Sequence, residues 1–480
     1  MQAIVVPDDL IAGATFFLTY HDRPGSVARV RFIGPTMQAT SVHLDAKCKP
    51  PCKTKAQLSL AMSGNYIIEA MRMYELSSNE TESCDPDWAR LCYKKCNPQS
   101  PQGGFDELVR ACNGTHSWLL AACQRPIKNY FACMRSCADQ CNFPTLLGSS
   151  LPILSPTGEV RTMVKVRGSD FLGPATSMPC SSESALGPGV WTHIGVCFRW
   201  AALQFDSYSH CEASLRGEHD ERRLFPELIN MSADAPARYI WRPLSCCLSF
   251  TRVSRYTSVT FLGVSTTAEL QQELVKIMQL SVAGPRIATR LAFPRMYSSF
   301  SRHLSELFRT TPAQRKASKL LVFANCGRLH PTTITRGSSA NRDEEDSCRS
   351  AAAAMAHFQN TSRLDLVFQA HPSGMPYHYD AAADALKPQH LRYKFHGDRG
   401  WFGVEHKVDA LNDVIIKTLA AAGCRASVFD EHAMAQPWWD LQGDGLHWRD
   451  WMPDDSRFFV ANVVRVLLHY MTASRSDTMA

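Results

Sequence analysis

The chain has 480 residues, enough for two or three domains with full-sized cores, and its 45% hydrophobic and 20% charged content is that of a soluble globular protein. Its 51 basic and 45 acidic residues leave a net charge of +6 without a dense Lys/Arg block, so composition gives no reason to expect a nucleic-acid partner. No apolar run reaches the roughly 18 residues that suggest a membrane-spanning helix, and no span is expected in this chain.

Met1–Tyr20 is interrupted by Asp8 and Asp9 and has no basic start. It does not read as a secretory leader, and a leader or anchor is expected to have been removed or to lie outside this sequence. Residues 12 to 75 read as β-structure. Ala14–Tyr20 and Val27–Ile33 alternate with period two, and Gln57–Met62 and Gly64–Tyr74 continue the pattern. Short strands at this spacing fit a β-sandwich. A Cys-rich stretch from 84 to 145 follows, whose four-residue Cys spacing and Trp118-Leu-Leu-Ala-Ala run predict short stapled helices. Residues 157 to 168 look like a returning strand, so the Cys-rich part is expected to be an insertion into a sandwich domain covering 1–175.

Residues 176 to 245 are expected to be an irregular, disulfide-bearing connector, with Gly187-Pro-Gly and Cys180, Cys197 and Cys211. From Val259 onward the rhythm becomes strand and helix in alternation, within a domain expected to span 246–480. The strands are Val259–Leu262, Leu320–Ala324, Leu364–Gln369 and Ala426–Phe429; the helices are Ala268–Leu280, Ala351–Phe358, Val408–Ala422 and Ser456–Met471. Alternation of this kind predicts an α/β domain with a parallel sheet covered by helices on both faces. Ligands of such sheets sit beyond the carboxyl ends of the strands. Ser265, Asn325 and His371 each follow a strand, and all three can reach one crevice.

Eighteen cysteines are too many for a typical cytosolic enzyme, and Cys84, Cys92, Cys96, Cys112, Cys123, Cys133, Cys137 and Cys141 crowd one stretch. They read as a disulfide framework of an oxidising compartment; zinc is the rival reading, but Cys-x-x-Cys pairs are absent. The triplets at Asn79, Asn113, Asn230 and Asn360 are glycosylation acceptors and agree with a secretory-pathway protein, in the Golgi lumen or outside the cell. Cys246 and Cys247 are neighbours that cannot easily pair with each other, so one is expected to bond a distant cysteine. Cys326 is read as a buried thiol or a disulfide partner, not as a nucleophile.

The chemistry is carried by two segments far apart. Thr260-Phe-Leu-Gly-Val-Ser265-Thr-Thr runs from an apolar strand through a tight Gly turn into a helix, which lifts a serine hydroxyl over a helix N-terminus. In Asp444-Gly-Leu-His447 a carboxylate stands three residues before an imidazole, a spacing that lets Asp444 orient His447 and His447 deprotonate Ser265. Together they suggest acyl transfer through a seryl ester. The cluster His371, His378 and Asp380 has no metal-site spacing, and neither a metal nor an organic cofactor is expected. Trp438, Trp439, Trp448 and Trp451 flank the Asp-His loop, where they would either stack on a sugar or form a hydrophobic lid.

Several blocks in order resemble the SGNH/PC-esterase group, most of all the neurexophilin-and-PC-esterase proteins and more distantly the trichome-birefringence-like acetyltransferases. They are Gly189-Val-Trp191, Tyr208-Ser-His-Cys211, Tyr239-Ile-Trp-Arg-Pro-Leu-Ser-Cys246, Phe261-Leu-Gly-Val-Ser265, Leu321-Val-Phe-Ala-Asn325-Cys-Gly327 and Asp444-Gly-Leu-His447-Trp448. The resemblance covers roughly residues 185 to 475. It implies an SGNH-like three-layer sandwich, preceded by an immunoglobulin-like β-sandwich that the front domain loosely resembles. It also implies Ser265 as nucleophile, His447 as base, Asp444 as its orienter, and Asn325 with Gly327 at the oxyanion. His330 and Trp448 would be possible substrate contacts; His371, at the end of a strand on the expected active edge, is either a further contact or, the favoured reading, a structural histidine before Pro372. The implied activity is transfer of an acyl group, by family likeness acetyl, from a donor to a glycan acceptor, or its hydrolysis. One departure stands out: Val264 occupies the position where the group has the Asp of Gly-Asp-Ser, and Val cannot brace the turn by accepting hydrogen bonds. This substitution keeps open a second class of function, a catalytically inactive esterase-like module that binds a glycan or a protein.

Overall fold

Apolar and polar side chains alternate through the front of the chain, and two sheets result. The computed structural model describes residues 2–75, 145–168, 180–193, 239–246, 248, 254–263, 265–280, 287–292, 304, 318–327, 329, 342–372, 377–379, 393–395, 405–438 and 457–472. The front strands are β1 (Ala3–Val5), β2 (Leu10–Ile11), β3 (Thr15–Asp22), β4 (Ser26–Ile33), β5 (Thr36–His43), β6 (Cys52–Ser59), β7 (Gly64–Glu75), β8 (Thr145–Ser150), β9 (Ile153–Leu154) and β10 (Met163–Arg167). One sheet has the order β6-β3-β1-β9. Inward side chains from it, among them Ile4, Leu18 and Tyr20, meet Val30, Phe32, Tyr66, Ile68 and Val166 of the other sheet in one buried core. The Cys-rich stretch lies outside the described residues except for its last position. The strands on either side of it are partners: Glu75 of β7 pairs with Thr145 of β8, so the chain leaves and re-enters the same sheet at one place.

The stretch expected to be irregular holds two strands, β11 (Gly189–His193) and β12 (Tyr239–Pro243). They extend the second front sheet, whose order is β12-β11-β5-β4-β7-β10-β2 with β8 beside β7. Val190-Trp-Thr and Tyr239-Ile-Trp are β-prone triplets, but the glycines and prolines that flank them hide the signal. β12 is an edge strand, and unpaired edge groups need partners. The Trp241 N–H donates to Asn462 Oδ1 at 3.1 Å, and Arg465 Nη1 donates to the Trp241 carbonyl at 3.1 Å. Both side chains come from the last helix, which is apolar and buried on nearly every other side.

That helix belongs to the parallel unit. Its strands are β13 (Ser258–Leu262), β14 (Ala288–Ala292), β15 (Lys319–Phe323), β16 (Leu364–Gln369) and, after the short pair β17 (Tyr377–Tyr379) and β18 (Tyr393–Phe395), β19 (Ala426–Phe429). Its helices are α1 (Ser265–Leu280), α2 (Arg342–Thr361), α3 (Glu405–Ala421), the short α4 (Glu431–Ala435) and α5 (Arg457–Thr472). The sheet order is β14-β13-β15-β16-β19 and every pair is parallel. The expected α/β class and parallel sheet are therefore present. Strand β15 shows why both faces are covered: Leu320 and Val322 join a core with α1 and α5, while Leu321 and Phe323 join a second core with α2 and α3. A strand buried on both faces reads as a continuous apolar run, as Leu320–Phe323 does.

Three disulfides occur among the described cysteines: Cys48–Cys52, Cys180–Cys246 and Cys326–Cys348. Disulfides persist in oxidising compartments and are rare in the cytosol, so these three fit a non-cytosolic chain. Among the described residues no helix is long and apolar enough to cross a membrane. Cys246 does pair with a distant cysteine, 66 positions away. Closing a loop of that length removes denatured-state entropy worth about 4 kcal/mol, so the Cys180→Ala, Cys246→Ala pair should lose stability of that order in urea unfolding.

Candidate functional site

Because the five strands are parallel, their carboxyl ends share one edge, and the residues just past those ends are the candidates. Strand β13 ends at Leu262, Gly263 turns, and α1 begins at Ser265. The helix starts three positions before the expected Ala268. Its first turn carries Thr266 and Thr267, both buried. Gly263 is required by close approach: a Cβ there would lie 2.3 Å from Thr267 Oγ1 and 2.9 Å from Thr267 Cβ. Across the strand gap, the Ala324 N–H donates to the Leu262 carbonyl at 3.2 Å, which sets the segment after β15 directly beside the serine turn.

Asn325 follows Ala324 and is fully buried. Its Nδ2 donates to the Leu329 carbonyl at 3.5 Å, the outer limit of a hydrogen bond, and its Oδ1 has no partner. A buried amide this poorly satisfied is costly in a merely structural role. The turn that holds it is rigid. Cys326 is bonded to Cys348 of α2, and the Leu329 N–H donates to the Cys326 carbonyl at 3.1 Å. Gly327 has φ +62°, and a Cβ there would meet the Ser347 backbone at 2.5 Å, so this position needs glycine on two counts. The disulfide also fixes the role of Cys326, which is not a free thiol.

His371 stands two residues past β16 and is buried. Asn412 of α3 clamps its backbone, accepting from the His371 N–H at 2.9 Å and donating to its carbonyl at 3.2 Å. Burial lowers the His371 imidazole to about 4, against a raising hydrogen bond to the Ala324 backbone and with help from nearby His432. The ring is therefore neutral at ordinary pH and linked to the Ala324 segment.

Behind this edge lies a chain of polar groups that pattern reading missed. Thr267 Oγ1 donates to Gln369 Oε1 at 3.0 Å, and Gln369 Nε2 donates to Glu431 Oε2 at 2.5 Å. Gln369 ends β16 and Glu431 opens α4; both are buried. Burial pushes the Glu431 carboxyl up to about 8, opposed by the Gln369 hydrogen bond and reinforced by Glu269 of α1. One signal was available: Gln369 is polar at the end of an apolar strand, Leu364-Asp-Leu-Val-Phe-Gln369.

Among the candidates, Ser265 (by its backbone), Asn325, Gly327 and His371 are placed at this one edge. Val264, His330, Asp444, His447 and Trp448 lie outside the described residues. The segment that leads in sequence to Asp444 is held firmly up to Trp438. The Trp191 indole N–H donates to the Met434 carbonyl at 2.8 Å, and Arg31 Nη1 of β4 donates to the Pro437 carbonyl at 2.8 Å. Compared with protein-family models and with curated proteins, the chain matches neither a family nor a curated relative.

Proposed function

We propose that the chain is an O-acyltransferase or esterase acting on glycans through a seryl-acyl intermediate, built as an SGNH/PC-esterase-like domain behind an immunoglobulin-like sandwich. One observation carries the reading: at the carboxyl edge of a parallel sheet, a Gly turn starts a helix at Ser265 beside the under-satisfied amide of Asn325. In the proposed step Ser265 Oγ attacks the acyl carbon and His447, oriented by Asp444, takes the hydroxyl proton. The carbonyl oxygen becomes an oxyanion that Asn325 Nδ2 and the Gly327 and Ser265 backbone N–H groups receive. On binding, Asn325 exchanges its weak Leu329 contact for this oxygen. Collapse expels the protonated donor group and leaves the seryl ester. A sugar hydroxyl, or water, then attacks with His447 as base, and the acyl group passes on. The disulfides and the glycosylation triplets support a lumenal or extracellular site.

A second reading is a glycan- or protein-binding module without turnover. Val264 in the serine turn and the full enclosure of Asn325 favour it. A serine-directed fluorophosphonate separates the two. Native protein should be labelled, Ser265→Ala should not, and Asn325→Ala should label about 100 to 1,000-fold more slowly. Labelling that is absent from native protein, or unchanged in Ser265→Ala, ends the acyl-transfer reading and leaves the binding module.

A further inference from the structure

We propose that the buried chain Thr267–Gln369–Glu431 is a positioning relay for the serine turn, and that these three residues set the alkaline limit of the reaction; the inference rests on the acyl-transfer reading. The geometry admits one direction of hydrogen bonding. Gln369 Nε2 can only donate, so Glu431 Oε2 accepts at 2.5 Å. Gln369 Oε1 can only accept, so the Thr267 hydroxyl must donate to it at 3.0 Å. That hydroxyl lies directly beneath Gly263, where an added Cβ would come within 2.3 Å of it. The turn that delivers Ser265 therefore rests on an oxygen whose own place is set by Gln369, and Gln369 is aimed by Glu431. The far end of the relay opens α4, whose continuation leads in sequence to Asp444 and His447.

The Gln369 N–H can donate to either form of the Glu431 carboxyl and by itself favours the charged one; burial and the nearby Glu269 oppose that charge more strongly. Among the described residues, Glu269 from α1 is the charged group that acts on Glu431; His432, next to it on α4, is 3.0 Å from the Asp409 carboxylate of α3 and acts in turn on His371 beyond β16. The nearby carboxyl of Glu269 opposes a second negative charge. One Gln369 donor does not replace the hydration an ionised Glu431 loses in this dry space, and the water that an ionised carboxylate draws in shifts it from its place against Gln369 and frees Thr267 to turn. Displacement of a reacting group by about 1 Å is enough to cost on the order of 100-fold in rate.

The test is the rate of fluorophosphonate labelling of the full chain from pH 6 to 9.5, in native protein and in Glu431→Gln, Thr267→Val and Thr267→Ser. Native labelling should fall at least about tenfold along an alkaline limb centred near the raised Glu431 value, and Glu431→Gln should have no such limb. Thr267→Val, which keeps the volume and loses the donor, should label about tenfold more slowly, and Thr267→Ser should restore most of the rate. Thermal melts of each variant check folding; should Glu431→Gln not fold, the Thr267 pair decides. An alkaline limb that survives in Glu431→Gln, or native-rate labelling of Thr267→Val, overturns the relay while leaving Ser265 as nucleophile. Native protein that fails to label at every pH overturns the acyl-transfer reading itself, and the relay with it.

Discussion

Trp191→Ala should cost about 5 kcal/mol of unfolding free energy, the largest single-residue loss expected in the described structure. Trp191 is fully buried, with ring centroids 5.6 Å from Trp241, 5.2 Å from Trp438 and 5.9 Å from Phe459. Truncating such a side chain typically costs about 3–5 kcal/mol through lost burial and the cavity left behind. The Met434 carbonyl also loses the indole donor, and an unsatisfied buried acceptor adds about 1–3 kcal/mol. Because Trp191 belongs to β11 of the front sheet while Met434, Trp438 and Phe459 belong to the parallel unit, the loss should loosen the junction between the two. Urea unfolding checks this: the midpoint of the variant should fall sharply, and Trp191→Phe should lose less than half as much. A loss under about 1.5 kcal/mol for Trp191→Ala would show that the junction holds without this ring.

Stability should also decline as pH rises from about 6.5 to 8, by on the order of 2 kcal/mol, and Glu431→Gln should abolish the decline. The Glu431 carboxyl ionises near 4.5 when unfolded, whereas burial, partly offset by Gln369 and aided by Glu269, lifts it to about 8 in the fold. An acid so raised stays protonated in the fold while the unfolded chain has already released its proton. The stability it contributes is complete below the unfolded value and is lost as pH climbs through the folded one. His371 works in the opposite sense: burial lowers it from 6.5 to about 4, so its contribution is present above 6.5 and is lost on acidification. The two slopes oppose each other below 6.5, and of these two groups Glu431 alone acts from there up to about 8. Urea midpoints at half-unit pH steps, native against Glu431→Gln, give the answer. A native curve that is flat from 6.5 to 8 would mean that Glu431 is already ionised in the fold.

The loss of Glu431 neutrality links this stability slope to the proposed alkaline limb of labelling, since one proton governs both. Functional sites are where burial and like charges are commonly arranged to move pKa values, which is the general reason the raised Glu431 bears on the proposed activity.

The alternation of strand and helix after residue 258 was readable because it rests on local periodicity: Leu364–Gln369 and Ala426–Phe429 are strands at the expected bounds, and α5 runs from Arg457 to Thr472 where Ser456–Met471 was expected. The Gly263 turn was equally plain, and so was a distant partner for one of Cys246 and Cys247; which of the two it is, the fold decided. These features depend on a few neighbouring side chains or on the valence of sulfur, and the chain carries them wherever it goes. Other features needed the folded molecule. Strand β5, Thr36-Met-Gln-Ala-Thr-Ser-Val-His43, has too polar a pattern to announce itself and is ordered by pairing with β4. Strands β11 and β12 joined a sheet begun far upstream, and Trp191 found its acceptor 243 positions away. Thr267, Gln369 and Glu431 are ordinary polar residues in the sequence; their meeting is set by three segments converging at one sheet edge, and the neutrality of Glu431 by the exclusion of water there. Pairing across long stretches of chain and burial are properties of the assembled structure, because neither the distance between two side chains nor the dielectric around them is written in local order.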